Sequence, residues 1–411
     1  MTMLFFYDES SKLEVSFEQF YSDLVKKTRI SKYIYYKNTY DVILEIAAAV
    51  IYGKEVILLD GDFSEVELYN LGISKDDLAM TWIISPWLSK INHLNFNNLI
   101  IANQEKARIG IFTSGTTGKP KCFYHTLKNL LRNIKISENH KDDIWALAYS
   151  ITHFAGIQVL LQALLNHNTI IDVFGANSII ADRLLKNNRC NCISSTPTFF
   201  RNYLFSKKNI NERIKTVTFG GEKFNAQLMN EAKKKFPHAK IRNIYASTEV
   251  GSILSGNGEN FIIPIDFKDK IKVSAENHLL LHTSLLDNIE FDGDWYDTKD
   301  IVSVNEDGSF KFLSRNTDFV NVGGYKVNLL EIEEEILKVD GVIDVVVYGR
   351  DNSVIGKILV ADILIVDNNK EAEVKKSINM YLRENLQAFK VPRIINVVKE
   401  LKKNRTGKKV R

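Results

Sequence analysis

The sequence has few cysteines, no long uncharged run and little net charge. Its three cysteines, Cys122, Cys190 and Cys192, are too few for a disulfide framework, which predicts a reducing, cytoplasmic environment. Cys190 and Cys192 stand too close together for a zinc site, so we interpret them as core thiols. The longest nearly uncharged apolar run, residues 46–52, is far too short to cross a membrane.

The charge balance and composition are those of an ordinary globular protein. The 54 basic and 50 acidic side chains leave a net charge of +4, which does not by itself indicate binding to nucleic acid or to a membrane. The N-terminus has a short apolar patch without a basic region before it, so we expect no signal peptide. The length of 411 residues and a hydrophobic content of 45% indicate more than one domain with a sizeable core.

Most of the chain alternates between apolar runs and helical patterns. Residues 56–59, 169–174, 192–195 and 216–219 have the pattern of buried strands, and residues 225–235 that of a helix. This alternation predicts an α/β fold with largely parallel sheets packed with helices. From about residue 257 to 313, short strands separated by turn residues predict a small antiparallel β section.

The pattern starts again after residue 315. Helices are predicted at 329–338 and 371–385, and strands at 342–348, 358–366 and 393–398. Such a unit of about a hundred residues is a normal size for a domain. We therefore predict a large N-terminal domain, residues 1–316, and a small α+β C-terminal domain, residues 317–411.

Residues 113–121, with the sequence TSGTTGKPK, concentrate hydroxyls, glycines and lysines in one segment. We expect this segment to join a buried strand at 109–112 to a helix in the amphipathic stretch at 126–136. A nucleotide P-loop does not fit, because Thr113 stands where the first glycine is required and Pro120 follows the lysine. Backbone amides beside glycines, together with hydroxyls and a lysine, still favour phosphate binding.

Further motifs follow this loop along the chain. They are THFAG at 152–156, GGEKF at 220–224, NIYASTEVGS at 243–252, DGDWYDTKD at 292–300, SRNTDFVNVGGYKV at 314–327 and NRTGKKVR at 404–411. Together with the loop, and in this order, they resemble the motifs of the adenylate-forming superfamily: acyl-CoA synthetases, peptide-synthetase adenylation domains and beetle luciferases. The resemblance covers nearly the whole chain from about residue 105 onward.

The resemblance implies a reaction in two steps that uses ATP and Mg²⁺. A carboxylate attacks the α-phosphate of ATP to give acyl-AMP and pyrophosphate, and a thiol then forms a thioester and releases AMP. The thiol would come from coenzyme A or from the phosphopantetheine of an acyl carrier protein acting in trans. The resemblance further implies that residues 1–316 bind ATP and the acid, and that residues 317–411 are mobile and carry the catalytic lysine.

The matched positions imply roles for individual residues. Lys408, Thr248 and Glu249 would be catalytic, with Thr248 on the α-phosphate and Glu249 also holding Mg²⁺. Asp300 would bind the ribose hydroxyls, and Tyr245 would stack on the adenine. The ATP-binding set is Thr113, Ser114, Gly115, Thr116, Thr117, Gly118, Lys119, Lys121, Gly220, Gly221, Glu222, Tyr245, Asp300 and Arg315. The acid-binding set is His153, Phe154, Gly156, Ala246 and Ser247, and Gly324 would lie near the thiol tunnel.

Some positions depart from the family pattern. His153 stands where amino-acid-activating relatives have an aspartate, so we expect an aryl or acyl acid without an α-amino group. Lys408 rather than Lys409 is taken as catalytic because Gly407 precedes it. Lys299 replaces a usual glycine, as a surface change or as an added phosphate contact. The N-terminal region is short, so part of the acid pocket wall is expected to be missing, supplied by a partner or formed by residues 1–100.

Two other functions stay open at this level. The chain could be a non-catalytic nucleotide- or acyl-binding protein derived from such an enzyme. It could also bind nucleic acid through the basic tail at 402–411, which by charge alone resembles a solvated, frayed terminus. We predict neither a nucleic-acid partner nor a membrane span, and the sequence leaves the oligomeric state open.

Overall fold

The structure is a computed structural model that describes most of the chain. The described residues are 3–84, 90–113, 121–206, 210–247, 249–286, 293–315, 318–322, 325–352, 356–404 and 407–410. The loop residues Ser114, Gly115, Thr116, Thr117, Gly118 and Lys119, as well as Thr248, Gly324 and the predicted boundary at 316–317, lie outside them.

The helices of the described residues are mostly short. They are α1 Phe17–Lys26, α2 Thr39–Ile51, α3 Glu65–Asn70, α4 Lys75–Ala79, α5 His93–Ala102, α6 Leu127–Leu131, α7 Phe154–Asn166, α8 Ser178–Asn187, α9 Pro197–Ser206, α10 Ala226–Lys235, α11 Leu329–Ile336 and α12 Glu371–Asn385. Many begin after an asparagine or serine that accepts a hydrogen bond from a first-turn amide, as Asn225 does for α10 and Asn328 for α11.

The strands form several sheets. They are β1 Leu4–Asp8, β2 Leu13–Ser16, β3 Arg29–Ser31, β4 Tyr33–Ile34, β5 Glu55–Leu58, β6 Thr81–Ile83, β7 Arg108–Thr113, β8 Lys121–Thr126, β9 Ile144–Leu147, β10 Thr169–Asp172, β11 Cys192–Ser195, β12 Thr216–Gly220, β13 Lys240–Ser247, β14 Gly251–Gly256, β15 Asn260–Phe261, β16 Ile271–Val273, β17 His278–His282, β18 Trp295–Val304, β19 Phe310–Arg315, β20 Phe319–Val322, β21 Tyr325–Asn328, β22 Val342–Asn352, β23 Gly356–Ile365 and β24 Ile394–Val397.

The largest sheet has the order β14-β13-β12-β11-β9-β10-β1-β2. Its six central strands run parallel, and only the edge strands β14 and β2 are antiparallel. Central strands such as β10 and β11 are buried along most of their length because both faces of a parallel sheet are covered. Cys190 and Cys192 are free thiols in this core, as interpreted from their spacing.

A second sheet, β4-β5-β7-β8, carries the glycine-rich segment and corrects one prediction. Strand β7 is followed by the antiparallel strand β8, so the segment joins two strands of a hairpin and not a strand and a helix. The helix expected at 126–136 is limited to α6. The chain leaves the helix where the side-chain amides of Gln158 and Gln162 on α7 bond the carbonyls of Leu130 and Lys135.

The described residues of 260–286 and 293–315 form the predicted antiparallel section, a five-stranded sheet in the order β15-β19-β18-β17-β16. Residues from 320 onward have a hydrophobic core of their own, in which α11 and α12 pack on the sheet β22-β23-β24. The helices and strands of this region lie within a few residues of their predicted bounds. The division at 316–317 itself stays a prediction.

Gly156 on α7 gives a test of how tightly the site is packed. A Cβ at this position would overlap the carbonyl oxygen of Ser150 and lie 2.9 Å from the Cα of Ile151. We expect Gly156→Ala to lower the free energy of unfolding by about 1–3 kcal/mol, measured from the urea midpoint. Gly258→Ala is the matched control, since no atom lies within 4 Å of its added carbon. Equal stability of the two variants would contradict this packing.

Candidate active site

A cleft of about 870 Å³ lies at the carboxyl ends of the parallel strands. Ser194, Gly220 and Ser247, which lie at or near the ends of β11, β12 and β13, line it. In open α/β sheets this edge is where ligands bind, because neighbouring connections separate there and leave a crevice. Residues of β18 and β19 and the C-terminal tail complete the wall.

The tail brings Lys408 into this cleft. The described residues of the tail, 402–404 and 407–410, pair as a small hairpin, in which the Asn404 amide bonds the Lys408 carbonyl at 2.8 Å and the Val410 amide bonds the Lys402 carbonyl at 3.0 Å. The Lys408 side chain lies directly over Gly221, where an added Cβ would be 2.9 Å from the lysine Cε. A glycine at 221 therefore leaves room for the lysine stem, and its φ of +85° also favours glycine.

The surroundings of Lys408 are charged and largely shielded from water. Burial lowers the pKa of its ammonium, and the neighbouring Arg315 guanidinium lowers it further. The carboxylates of Glu222, Glu249 and Asp300 act in the opposite direction without restoring the ordinary value. The ammonium has no hydrogen bond or ion pair with any described side chain, so the cation is available to a ligand in the cleft.

Asp300 is the centre of a buried polar group at the wall of the cleft. Its carboxylate accepts hydrogen bonds from Arg315 Nε at 2.5 Å and from the Tyr245 hydroxyl at 2.6 Å. The Tyr245 ring stacks on Phe312 with centroids 4.3 Å apart, so one of its faces is already covered. Only the other face is left for the predicted stacking on adenine. The charge of Asp300 and the burial of the hydroxyl raise the pKa of Tyr245 well above its usual value, which keeps the hydroxyl a donor.

Glu222, a member of the predicted ATP-binding set, has its carboxylate bonded to backbone amides of the protein. Its carboxylate accepts the backbone amide of Thr198 at 2.9 Å, near the start of α9, and the backbone amide of Lys409 at 3.2 Å. A carboxylate at a helix N-terminus satisfies amides that have no partner within the helix. Glu222 lines the cleft, but its carboxylate accepts hydrogen bonds from α9 and from the tail.

His153 and Phe154, at the start of α7, line the other end of the cleft. Behind the histidine lies Asp60, whose Oδ1 is 3.3 Å from His153 Nε2 and also accepts the Thr152 hydroxyl. Asp60 is not part of the cleft wall, and sequence reasoning missed it because it lies ninety residues away in an unmarked loop. Its contact with His153 is one way in which the N-terminal residues contribute to the acid pocket.

The other predicted residues divide into clear groups. Lys121, Ala246, Ser247 and Glu249 line the cleft. Gly156 is buried against Ser150 and does not, so its place in the acid-binding set is corrected to a packing role. Thr113 ends β7, but its side chain lies outside the described residues, like the loop residues 114–119, Thr248 and Gly324.

Of the two interpretations of Lys299, the structure favours a substitution at the surface. Its φ of +62° explains why glycine is usual there, and its ammonium pairs with Asp297 at 2.7 Å on the exposed side of the sheet. It does not line the cleft, so the structure gives it no phosphate contact.

Comparison with known families agrees with this geometry. The model of the AMP-binding enzyme family matches residues 33–272, more than half of the chain, and that of the AMP-binding enzyme C-terminal domain matches residues 331–408. The chain belongs to the AMP-binding enzyme family. This confirms the adenylate-forming superfamily and the α/β fold class that the motifs indicated.

Individual relatives support the same assignment. A 2-succinylbenzoate–CoA ligase of Listeria monocytogenes is 25% identical over 382 residues, covering 86% of this chain and 77% of that protein. The o-succinylbenzoate CoA synthetase MenE of Bacillus subtilis, solved with the acyl-adenylate OSB-AMP, aligns with a TM-score of 0.68 at 18% identity over 99% of this chain and 94% of its own. ATP-bound MatB of Rhodopseudomonas palustris aligns with a TM-score of 0.73 at 18% identity over the same shares.

Within the described part of this family member, no helix is long and apolar enough to cross a membrane. The same residues contain no cluster of three or more histidine, cysteine or acidic side chains that could hold a metal ion by itself.

The pair of Arg315 and Asp300 yields a test of nucleotide binding. In Arg315→Met the buried carboxylate loses its cationic partner, so we expect a loss of about 1–2 kcal/mol in stability, reduced because the guanidinium is half exposed. We also expect the affinity for AMP, measured by titration calorimetry, to fall about tenfold. Lys299→Met, which removes an exposed cation from the same sheet, should change neither quantity. Unaltered AMP binding in Arg315→Met would contradict this arrangement.

Proposed function

We propose that this protein is an ATP-dependent, AMP-forming acid–thiol ligase. A carboxylate oxygen of the acid would bond to the α-phosphorus of ATP while the bond to pyrophosphate breaks, giving acyl-AMP. A thiol would then lose its proton, its sulfur would bond to the acyl carbonyl carbon, and AMP would leave with the electrons of the broken bond. The chain is similar over most of its length to ligases of this kind.

One observation carries the proposal: the ammonium of Lys408 lies in the cleft beside the GGE segment. In the first step, negative charge gathers on the α-phosphate and on the attacking carboxylate. A fixed cation in a shielded site stabilises such charge more than it would in water, because little solvent has to reorganise. The absence of a described partner for this ammonium fits a group whose counter-charge arrives with the substrates.

Glu249 is suited to hold Mg²⁺ beside the phosphates. Its carboxylate lines the cleft and makes no hydrogen bond or ion pair with a described residue. Magnesium beside a nucleotide is commonly held by one or two carboxylates together with phosphate oxygens and water, so a single glutamate is sufficient from the protein side. When bound, the ion would offset the charge of the phosphates.

The acid end of the cleft favours an aryl or acyl acid without an α-amino group. Phe112, Phe123, Ile134 and Phe154 line it with apolar surface. The one carboxylate close to the histidine, that of Asp60, lies behind it and is already in contact with the Thr152 hydroxyl. A substrate ammonium here would be buried without a partner, which is costly.

The acceptor and the domain movement belong to the same proposal. Coenzyme A or a carrier-protein phosphopantetheine would supply the thiol, and residues 317–411 would rotate as a mobile domain between the two steps. We place the reaction in the cytoplasm, in keeping with three free cysteines in a chain of this size.

Exchange of labelled pyrophosphate into ATP tests the function without knowledge of the acceptor. A panel of aryl, acyl and amino acids should support exchange only for acids that lack the α-amino group. Tight AMP binding without exchange for any acid would instead favour a non-catalytic binding protein. Exchange confined to amino acids would refute the assignment of the acid pocket.

Lys408 should matter for the first step only. In Lys408→Met we expect acyl-AMP formation to fall by about 10²–10³-fold, because the transition state loses its fixed cation. Thioester formation from preformed acyl-AMP should stay close to that of the parent protein. Lys403→Met, an exposed lysine of the same hairpin, is the control. Equal loss of both steps in Lys408→Met would contradict the role.

The pH dependence of the first step should show the titration of Lys408. Burial and Arg315 disfavour the charged ammonium, so Lys408 loses its proton at a lower pH than an ordinary lysine with a pKa of 10.5. We expect kcat/KM of the first step to fall on the alkaline side below that value. In Lys408→Arg the alkaline fall should move to higher pH, since a guanidinium keeps its proton. An identical alkaline fall in both proteins would assign it to another group.

A further inference from the structure

Lys409, next to the proposed catalytic lysine, also lines the cleft, but its ammonium is held in an ionic cluster around the buried Asp344. Its ammonium donates to the Asp344 carboxylate at 2.9 Å and to the Val345 carbonyl at 2.7 Å. Glu333 Oε2 lies 4.0 Å from the same nitrogen. Both lysines of the tail line the cleft, but the Lys409 ammonium joins the tail to β22, whereas the Lys408 ammonium has no partner among the described side chains.

A second cation lies near the same oxygen of this carboxylate. Arg201 on α9 places Nη1 3.6 Å from Asp344 Oδ1, and the Asp344 side chain is completely buried. Burial by itself raises the pKa of Asp344, but the charges of Lys409 and Arg201 outweigh it and hold the pKa below its ordinary value. The carboxylate is therefore ionised and balanced by two cations.

The tail is also held through its backbone at this point. The Lys409 amide donates to Glu222 Oε1 at 3.2 Å, and the other oxygen of Glu222 accepts the Thr198 amide at 2.9 Å. Lys409 is thus fixed at its backbone by one acid and at its side chain by another. Because Lys408 is the preceding residue, these contacts determine where its side chain points.

We propose that Arg201, Asp344 and Lys409 form a positioning cluster that aims Lys408 at the reacting atoms. Its central carboxylate, Asp344, does not line the cleft, and the Lys409 ammonium is already held by that carboxylate. The cluster joins α9, before the predicted boundary at 316–317, to β22 and the tail beyond it. The contact of Asp344 with Lys409 keeps the tail on the C-terminal core, and the contact with Arg201 holds that core against α9.

The cluster makes the first step depend on residues other than Lys408, among them Asp344, which does not line the cleft. If the C-terminal region turns away for the thiol step, the contact with Arg201 breaks, whereas Asp344 and Lys409 move together. A shift of about 1 Å in a catalytic group can cost about a hundredfold in rate, so a loosened tail affects acid activation strongly. The effect on the rate of the first step rests on the proposed function; the contacts that hold the tail do not.

Two measurements on the full chain test the cluster. The variants are Lys409→Met and Asp344→Asn, with Lys409→Arg as the conservative replacement and Lys403→Met as the control. We expect acyl-AMP formation to fall by about 10- to 100-fold in the first two, with thioester formation from preformed acyl-AMP nearly unchanged. Lys409→Arg should recover most of the first step, because a guanidinium keeps the charge and the hydrogen bonds to Asp344.

Hydrogen–deuterium exchange of residues 402–410 supplies a readout that needs no activity. The tail amides should exchange faster in Lys409→Met and Asp344→Asn than in the parent or in Lys403→Met, while the amides of α12 stay protected. If the parent activates no acid, the proposed function fails, but this difference in exchange still tests the cluster. Unchanged tail exchange in folded variants, or equal loss of both reaction steps, would overturn it.

Discussion

The site depends on a cation delivered from the end of the chain into a cleft formed by distant segments. Lys408 lies over Gly221, near the acids Glu249 and Asp300, in surroundings that disfavour its own charge. Such a position is costly without a counter-charge, and the phosphates and carboxylate of the substrates supply one. In the proposed reaction, the same cation would contribute to nucleotide binding and to stabilisation of the transition state, and it would require the tail to lie over the cleft.

The rest of the fold keeps this cation in place. The parallel sheet brings the ends of β11, β12 and β13 together, which creates the crevice. The buried Tyr245 and Asp300, hydrogen-bonded with the half-exposed Arg315, form the wall of that crevice on the side of the antiparallel sheet. The tail is held at Lys409, the residue next to Lys408, so the contacts that fix the tail lie very close to the cation.

Much of this could be predicted from the sequence because strong local patterns carried it. The apolar runs that became β10, β11 and β12, and the helix α10 after its asparagine cap, depend on periodicity and capping within a few residues. The motifs gave the family, and their fixed order indicated that segments as distant as 220–222 and 408 meet in one cleft. Gly407 before Lys408 led to the lysine that lies in the cleft.

The partners of polar side chains could not be predicted in this way. Nothing near Asp60 indicates that it lies behind His153, and nothing near Asp344 indicates that Arg201 and Lys409 converge on it. Glu222 was expected beside adenine, yet its carboxylate serves α9 and the tail. Such pairings are decided by packing between segments far apart in sequence.

The transfer of one carboxylate oxygen from the acid to AMP tests the proposed chemistry most directly. The acid that best supports pyrophosphate exchange would be labelled with ¹⁸O at both oxygens of its carboxylate. After thioester formation, AMP would be isolated and its mass determined by mass spectrometry. If the acid oxygen attacks the α-phosphorus beside Lys408, each AMP carries a single labelled oxygen and the thioester keeps the other. Turnover that yields AMP without the label would contradict attack by the acid.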